Sequence, residues 1–413
     1  MKRYTSPTNI YLFLEIAASA LFQMIFVASS LYQITVAGLT PLQLVLIGTA
    51  LEASAFVFEI PTGVIADVYS RKLSIIIGFI LMGLGFLIEG FFPAFGPILI
   101  AQVVWGLGYT FTSGAEEAWI SDEIGEEGAN RLFVRAAKVG LYASLVGMAL
   151  AAWIGGANVA LPIRWGGLGL VLVGILLVFA MPETEFHPTP REDRNTWQHM
   201  IYTFQQGSRL VRSRPRLMTV LGVGLFYGLY SEGFDRLWVK HLIDSFDISG
   251  IFSLSQVAFI SLLKATSTVA AIIALRWVEK RLDTSRPAVI GRTMLLVTGG
   301  ISLGLLGFAL SPYLGAAILA FLGISVLRRI AMPLYTSWVN QKLDSGTRAT
   351  VISISSQVDA VGQIAGGPGV GLIAKLVSVA AALVSSSILL TPALLLIGRA
   401  NQLTDENEWA EGE

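Results

Sequence analysis

The chain has 413 residues, of which 54% are hydrophobic and only 14% charged. A soluble protein could not hide so much apolar surface, because roughly half of any globular surface still faces water. The 28 basic and 28 acidic residues cancel, which argues against a nucleic-acid partner, and the absence of cysteine excludes thiol catalysis, disulfide frameworks and Cys-based metal sites. The three histidines, His187, His199 and His241, are read as lying at or beyond the ends of the long apolar runs, not within them, leaving buried proton chemistry to carboxylates.

About 20 apolar residues are needed to cross the hydrocarbon of a bilayer as a helix. Runs of that length predict helices at 10–34, 41–65, 73–93, 96–121, 134–156, 161–181, 216–242, 251–275, 287–310, 312–337, 350–374 and 378–398. The first run is too long for the apolar core of a cleavable signal and contains Glu15, so it reads as a retained helix. One connector is long and polar: Glu183 to Pro215, with Arg191, Arg194, Arg209, Arg212 and Arg214. The expected organisation is therefore a six-helix bundle at 1–181, a cytoplasmic linker at 182–215, a second six-helix bundle at 216–400, and a polar cytoplasmic tail at 401–413, disordered and acidic.

Basic residues concentrate in the segments that are cytoplasmic if the N-terminus is inside. On the opposite side there are only Arg164, Lys240 and Lys375. That asymmetry predicts an even number of crossings with both termini cytoplasmic, in the cell membrane.

The halves echo each other. Ala118-Trp119-Ile120-Ser121-Asp122 closes the fourth run and Ser337-Trp338-Val339-Asn340 closes the tenth; an arginine and a Gly-rich helix follow each. The fifth and eleventh runs are rich in glycine (Gly147, Gly155, Gly156; Gly366, Gly367, Gly369), as close packing between two rocking halves would need, and Gly366-Gly367-Pro368-Gly369 could bend its helix. The loop after the second run holds Gly63-x-x-x-Asp67-x-x-x-Arg71-Lys72. Gly63 would permit close helix approach. Asp67, Arg71 and Lys72 could pair with facing helix ends and latch one state.

At this point the chain resembles the major facilitator superfamily, whose signature motif lies in that loop. Pro182-Glu183-Thr184 is similar to the exit of the family's sixth span. Gly147 and Gly155-Gly156 resemble part of the signature of the drug/proton antiporters. Three departures stand out: Ser70 where the family usually has glycine, Ala151-Ala152 for a Gly-Pro step, and Gln102 where the exchangers usually carry an arginine. The resemblance implies an all-α integral membrane fold of twelve transmembrane helices in two pseudo-symmetric six-helix bundles. It also implies a conformational-switch motif at Gly63, Asp67, Arg71 and Lys72.

Charges deep in a bilayer are costly, roughly 2.5–3.5 kcal/mol on insertion scales, so they face cavities or partners. Glu52, Lys264, Asp359, Arg328 and Arg329 fall near mid-span; Glu15, Glu59, Glu116, Glu117, Glu89, Glu232, Asp235 and Arg236 fall nearer the ends. Glu52, Glu59 and Gly63 share one helix face. Glu232, Asp235 and Arg236 are three and four apart, the spacing of an internal ion pair, and Asp359 reads either as the partner of Lys264 or Arg328 or as one wall of a cavity. A carboxyl out of water can take up and release protons near neutral pH, which makes Glu52, Asp359 and Glu116 the candidates for proton coupling. Gln23, Glu52, Tyr230, Lys264 and Arg328 are the candidates for a substrate cavity. Phe22, Phe26, Trp105, Tyr227, Tyr335 and Trp338 are further aromatics for stacking or packing.

The expectation is a monomeric secondary transporter in the bilayer, neither an enzyme nor cofactor-dependent. It would carry a small-molecule substrate by alternating access, coupled to protons or another ion. The resemblance leans to efflux of amphiphilic compounds, as in a multidrug antiporter; a metabolite or nutrient permease of the same fold is the alternative. No Gly-x-x-x-x-Gly-Lys-Ser/Thr loop occurs to bind ATP.

Overall fold

The computed structural model describes residues 6–187, 209, 211, 214–283, 286–341 and 345–410. Most of the expected linker, including Arg191, Arg194, Arg212 and His199, lies outside the described residues.

Helices fill every predicted run. They are α1 (Pro7–Thr35), α2 (Pro41–Val68), α3 (Arg71–Phe91), α4 (Phe95–Thr112), α5 (Ala115–Ile124), α6 (Glu126–Gly155) and α7 (Ala160–Ala180), then α8 (Pro215–Ser245), α9 (Gln256–Arg281), α10 (Pro287–Leu310), α11 (Leu314–Val339), α12 (Ser345–Leu376) and α13 (Val379–Ala410). Among the described residues, eleven spans are long and apolar enough to cross a membrane. The remaining helix, α12, is diluted by Ser353, Ser355, Ser356, Gln357, Asp359 and Gln363. Phe179 and Leu395 are 79% and 78% exposed, a position only lipid would favour for such side chains.

The fourth span is one predicted run but two helices, α4 and α5. Gly114 has φ +70°, a left-handed turn that interrupts the ladder and that glycine adopts at no steric cost. At the other end of the chain, α13 continues through Ala410, so the segment expected to be disordered from Asn401 is helical that far. Extending an existing helix avoids the cost of nucleating a new one. Residues 411–413 lie outside the described residues. Pro368 lies within α12, which continues past it to Leu376.

Contacts divide the chain into two units. The first holds 1–40, 50–196 and 248–264; the second holds 41–49, 197–247 and 265–413. In the first unit α1 packs on α6 and α7, and α3 packs on α4 and α7. In the second α8 packs on α12 and α13, and α10 packs on α11 and α13. Each pairing in one unit has its counterpart six spans later, so the duplication hinted at by the two Trp-containing segments is carried by the helix pairings themselves.

Some glycines of the fifth and eleventh spans pack as expected, against helices of the other predicted bundle: Gly155 of α6 meets Val257 of α9 inside the first unit, and Gly367 of α12 meets Val45 and Thr49 of α2 inside the second. Others pack within one bundle. A Cβ at Gly147 on α6 would run into the Ala20 carbonyl of α1, inside the first unit. Cβ atoms at Gly362 and Gly366 on α12 would run into the Leu225 and Leu229 backbone of α8, inside the second. These glycines bring the first and fifth spans of each bundle, α1 with α6 and α8 with α12, into backbone contact.

Candidate functional site

A cavity of about 530 Å³ opens in the first unit, a volume typical of small-molecule sites. From α1 it takes Ala18, Ser19, Phe22, Gln23 and Phe26; from α2, Leu51, Glu52 and Ala55. Trp105 and Tyr109 come from α4 and Ser144 from α6. The i, i+4 spacing of Phe22–Phe26 and of Trp105–Tyr109 puts each aromatic pair on one helix face. Phe22 and Phe26 stack at 5.6 Å, Phe26 meets Trp105 at 5.5 Å, and Phe86 of α3 backs all three rings. One wall is therefore aromatic, while Ser19, Gln23, Glu52 and Ser144 supply polar groups. Lys264 donates from Nζ to the Phe26 carbonyl at 3.2 Å, beside this wall.

Among the predicted cavity residues, the structure thus places Gln23 and Glu52 on one lining and Lys264 next to it. Tyr109, Ser19 and Ser144 were not anticipated. The four-residue steps from Trp105 to Tyr109 and from Ser19 to Gln23 were the available signal. Glu59, one face with Glu52 on α2, accepts a hydrogen bond from Ser113 Oγ at 3.0 Å at the α4–α5 break. Glu116 opens α5 beside Glu117 and half-buried.

Tyr230 and Arg328 meet in the second unit. Arg328 holds Asp235 with both terminal nitrogens and lies over the Tyr230 and Phe234 rings. The hydrogen-bond partner of Arg328 is Asp235 of α8, not Asp359, whose pairing with Lys264 or Arg328 was one of the two expected readings. Asp359 accepts instead from Gln363 Nε2 at 2.8 Å. Glu232 and Arg236 form the internal pair that their spacing suggests, 2.8 Å apart. Tyr227 stacks toward Tyr335 and shares a hydrogen bond with Thr298. His241 was expected outside the apolar interior, yet it is buried near the end of α8; the Phe308 carbonyl at 3.0 Å and Ser245 satisfy its ring nitrogens.

The residues expected to form a switch lie where α2 meets α3. Ser70 caps α3, accepting from the Leu73 backbone N–H at 2.9 Å and donating to Glu183 at 2.7 Å. Glu183 also accepts from the Lys72 backbone N–H. Arg71 pairs with Asp122 of α5, donates to the Ala118 carbonyl, and stands 3.8 Å from Asp67. Trp119 donates to the Pro182 carbonyl, and Thr184 binds Glu123 through both N–H and hydroxyl. The Pro-Glu-Thr segment is thus stitched to both the loop before α3 and the end of α5. Gly63 differs from expectation: a Cβ there would meet no described atom within 4 Å, so close approach is not its role in this structure.

The wider comparisons agree with this architecture. The chain is 25% identical over 373 residues, 89% of each protein, to an uncharacterized MFS-type transporter, YxaM, of Bacillus subtilis (strain 168). Its fold is similar to that of the nucleoside transporter NupG, with TM-score 0.76, 12% identity, and 96% and 99% of the two chains covered. It is also similar to a bacterial homolog of the human lysosomal transporter Spinster in an inward-facing, unoccupied conformation, with TM-score 0.75, 15% identity, and 97% and 98% covered. The family model described as Major Facilitator Superfamily matches residues 11–367. The chain is a multi-pass membrane protein that carries small molecules, and it belongs to the Major Facilitator Superfamily.

Proposed function

We propose that this transporter exports amphiphilic small molecules in exchange for protons, as a monomer, by alternating access of two six-helix bundles (1–181 and 216–400). In this reading residues 182–215 form a cytoplasmic linker, 401–413 a cytoplasmic tail, and both termini are inside the cell. The observation that carries it is the cavity of the first unit, with an aromatic wall for an apolar body and Glu52, Gln23, Ser19 and Ser144 for a polar end. Glu52, Asp359 and Glu116 are the carboxyls assigned to proton coupling. Gln23, Glu52, Tyr230, Lys264 and Arg328 are assigned to substrate. The motif of Gly63 and Asp67 at the end of α2 with Arg71 and Lys72 at the start of α3 acts as the switch, its Arg71–Asp122 pair holding one state.

Proteoliposomes test this directly. Amphiphilic dyes should accumulate against their gradient when the pH difference is imposed and stop when it is collapsed. Flux indifferent to the pH gradient removes the coupling assignment. The second reading is a metabolite or nutrient permease, favoured by Gln102 at the place where the drug/proton antiporters usually carry arginine. Downhill, saturable uptake of a polar metabolite without dye transport would select it.

A further inference from the structure

One helical turn beyond the cavity's aromatic wall, the same helices build a second polar site. On α1 the step is from Phe26 to Ser29, on α3 from Phe86 to Glu89, and on α4 from Trp105 to Gln102, three residues each. Glu89 is fully buried, at 0% exposure. Ser29 Oγ donates to its Oε1 at 2.8 Å, and Gln33 Nε2 donates to the same oxygen at 2.9 Å. Gln102 Nε2 donates to Oε2 at 3.0 Å. Tyr32 donates to the Glu89 carbonyl at 2.9 Å and reaches the Gly90 carbonyl, while Arg164 of α7 donates to the Gly90 carbonyl at 2.8 Å with its guanidinium over Phe91. Tyr32 and Arg164 are thus the titratable and charged groups facing this end of α3 from α1 and α7; α4 faces it with Gln102.

The set suits a carboxyl that changes protonation. Three donors satisfy the ionised form. The protonated form needs an acceptor, and one is at hand: Gln102 is 3% exposed and its Oε1 is buried with no partner among the described residues. A turn of that amide exchanges a donor for an acceptor at Oε2 without moving a helix. We infer that Glu89, with Gln102, Ser29 and Gln33, is a proton-binding site behind the cavity wall, distinct from Glu52, Asp359 and Glu116. The proton adds to Oε2 and leaves from it; no other bond changes. Through Phe86 and Trp105, which touch at 5.2 Å, the state of the site bears on the aromatic wall.

The inference stands apart from the direction and substrate of transport, because the carboxyl itself is read. The full chain in phospholipid vesicles, with no substrate added, is taken through pH-difference infrared spectroscopy. The wild type should show protonated-carboxyl C=O stretches that appear and disappear with pH. Glu89→Gln should abolish one band, which Glu52→Gln, Asp359→Asn and Glu116→Gln should leave. Gln102→Leu should keep the band but move its frequency, since one hydrogen bond to the carboxyl is lost; this variant also serves if Glu89→Gln fails to fold. A wild-type spectrum without such bands, the same bands in Glu89→Gln as in the wild type, or no band shifted in Gln102→Leu overturns the site.

Discussion

Arg328 on α11 grips Asp235 on α8, its two terminal nitrogens 2.5 and 2.7 Å from the two carboxylate oxygens. The forked geometry matches two parallel donors to two acceptors, which is why arginine holds this place better than lysine would. The Tyr230 and Phe234 rings lie 5.7 and 5.4 Å from the guanidinium and limit its access to water. Asp235 is 46% exposed, so a partner left behind still reaches solvent. Asp235→Leu and Arg328→Met should each cost about 0.2–1 kcal/mol of unfolding stability. The double variant should cost less than the two together, because both single variants lose the same pair. Denaturant unfolding in detergent measures all three.

Ser70 stands where the family usually has glycine, and the structure gives it two bonds that glycine cannot make. As a cap it satisfies the Leu73 N–H, and as a donor it ties the loop to Glu183. Ser70→Ala should lower stability by about 1 kcal/mol. Glu183→Gln should also destabilise, because two donors, Ser70 Oγ and the Lys72 N–H, lose a charged acceptor. Thermal unfolding of each variant checks the order.

The helices were legible because the burial of apolar surface in lipid demands long uninterrupted runs, and every predicted run became a helix. The break at Gly114 was not, since a single left-handed residue leaves no trace in hydropathy. The cavity was half legible. Gln23 and Glu52 were found because polar groups in a greasy helix are costly. Tyr109 was missed because an aromatic residue fits a packed core equally well. The Arg328–Asp235 pair was missed for another reason: depth along a helix says how far in a charge lies, whereas its partner depends on which face of which helix stands opposite. His241 shows the same gap, its burial made tolerable by a carbonyl on α10 that sequence could not place.

Glu52 is the carboxylate on the cavity lining, so its charge should matter to binding more than to folding. Glu52→Gln keeps the shape and removes the charge. For a cationic amphiphilic dye the affinity should fall about tenfold or more, roughly the 1.4 kcal/mol of a modest charge contact. Trp105→Ala should weaken neutral and charged dyes alike, because it removes ring surface from the wall. Dye binding to the purified protein separates the two patterns. Equal losses for every dye in Glu52→Gln would reduce its role to packing.

Two glycines make opposite predictions. At Gly147 a Cβ would collide with the Ala20 carbonyl, a backbone atom that cannot swing away. Gly147→Ala should therefore push α1 from α6 and cost about 1–3 kcal/mol. At Gly63 a Cβ meets open space. Gly63→Ala should raise stability by about 0.5–1 kcal/mol, through the entropy that glycine adds to the unfolded chain. If the loop is a switch, another state brings a neighbour against Gly63, and the same variant should slow dye transport in proteoliposomes while it unfolds later. A Gly63→Ala protein that is both more stable and fully active would show that this glycine is never closely approached in the cycle.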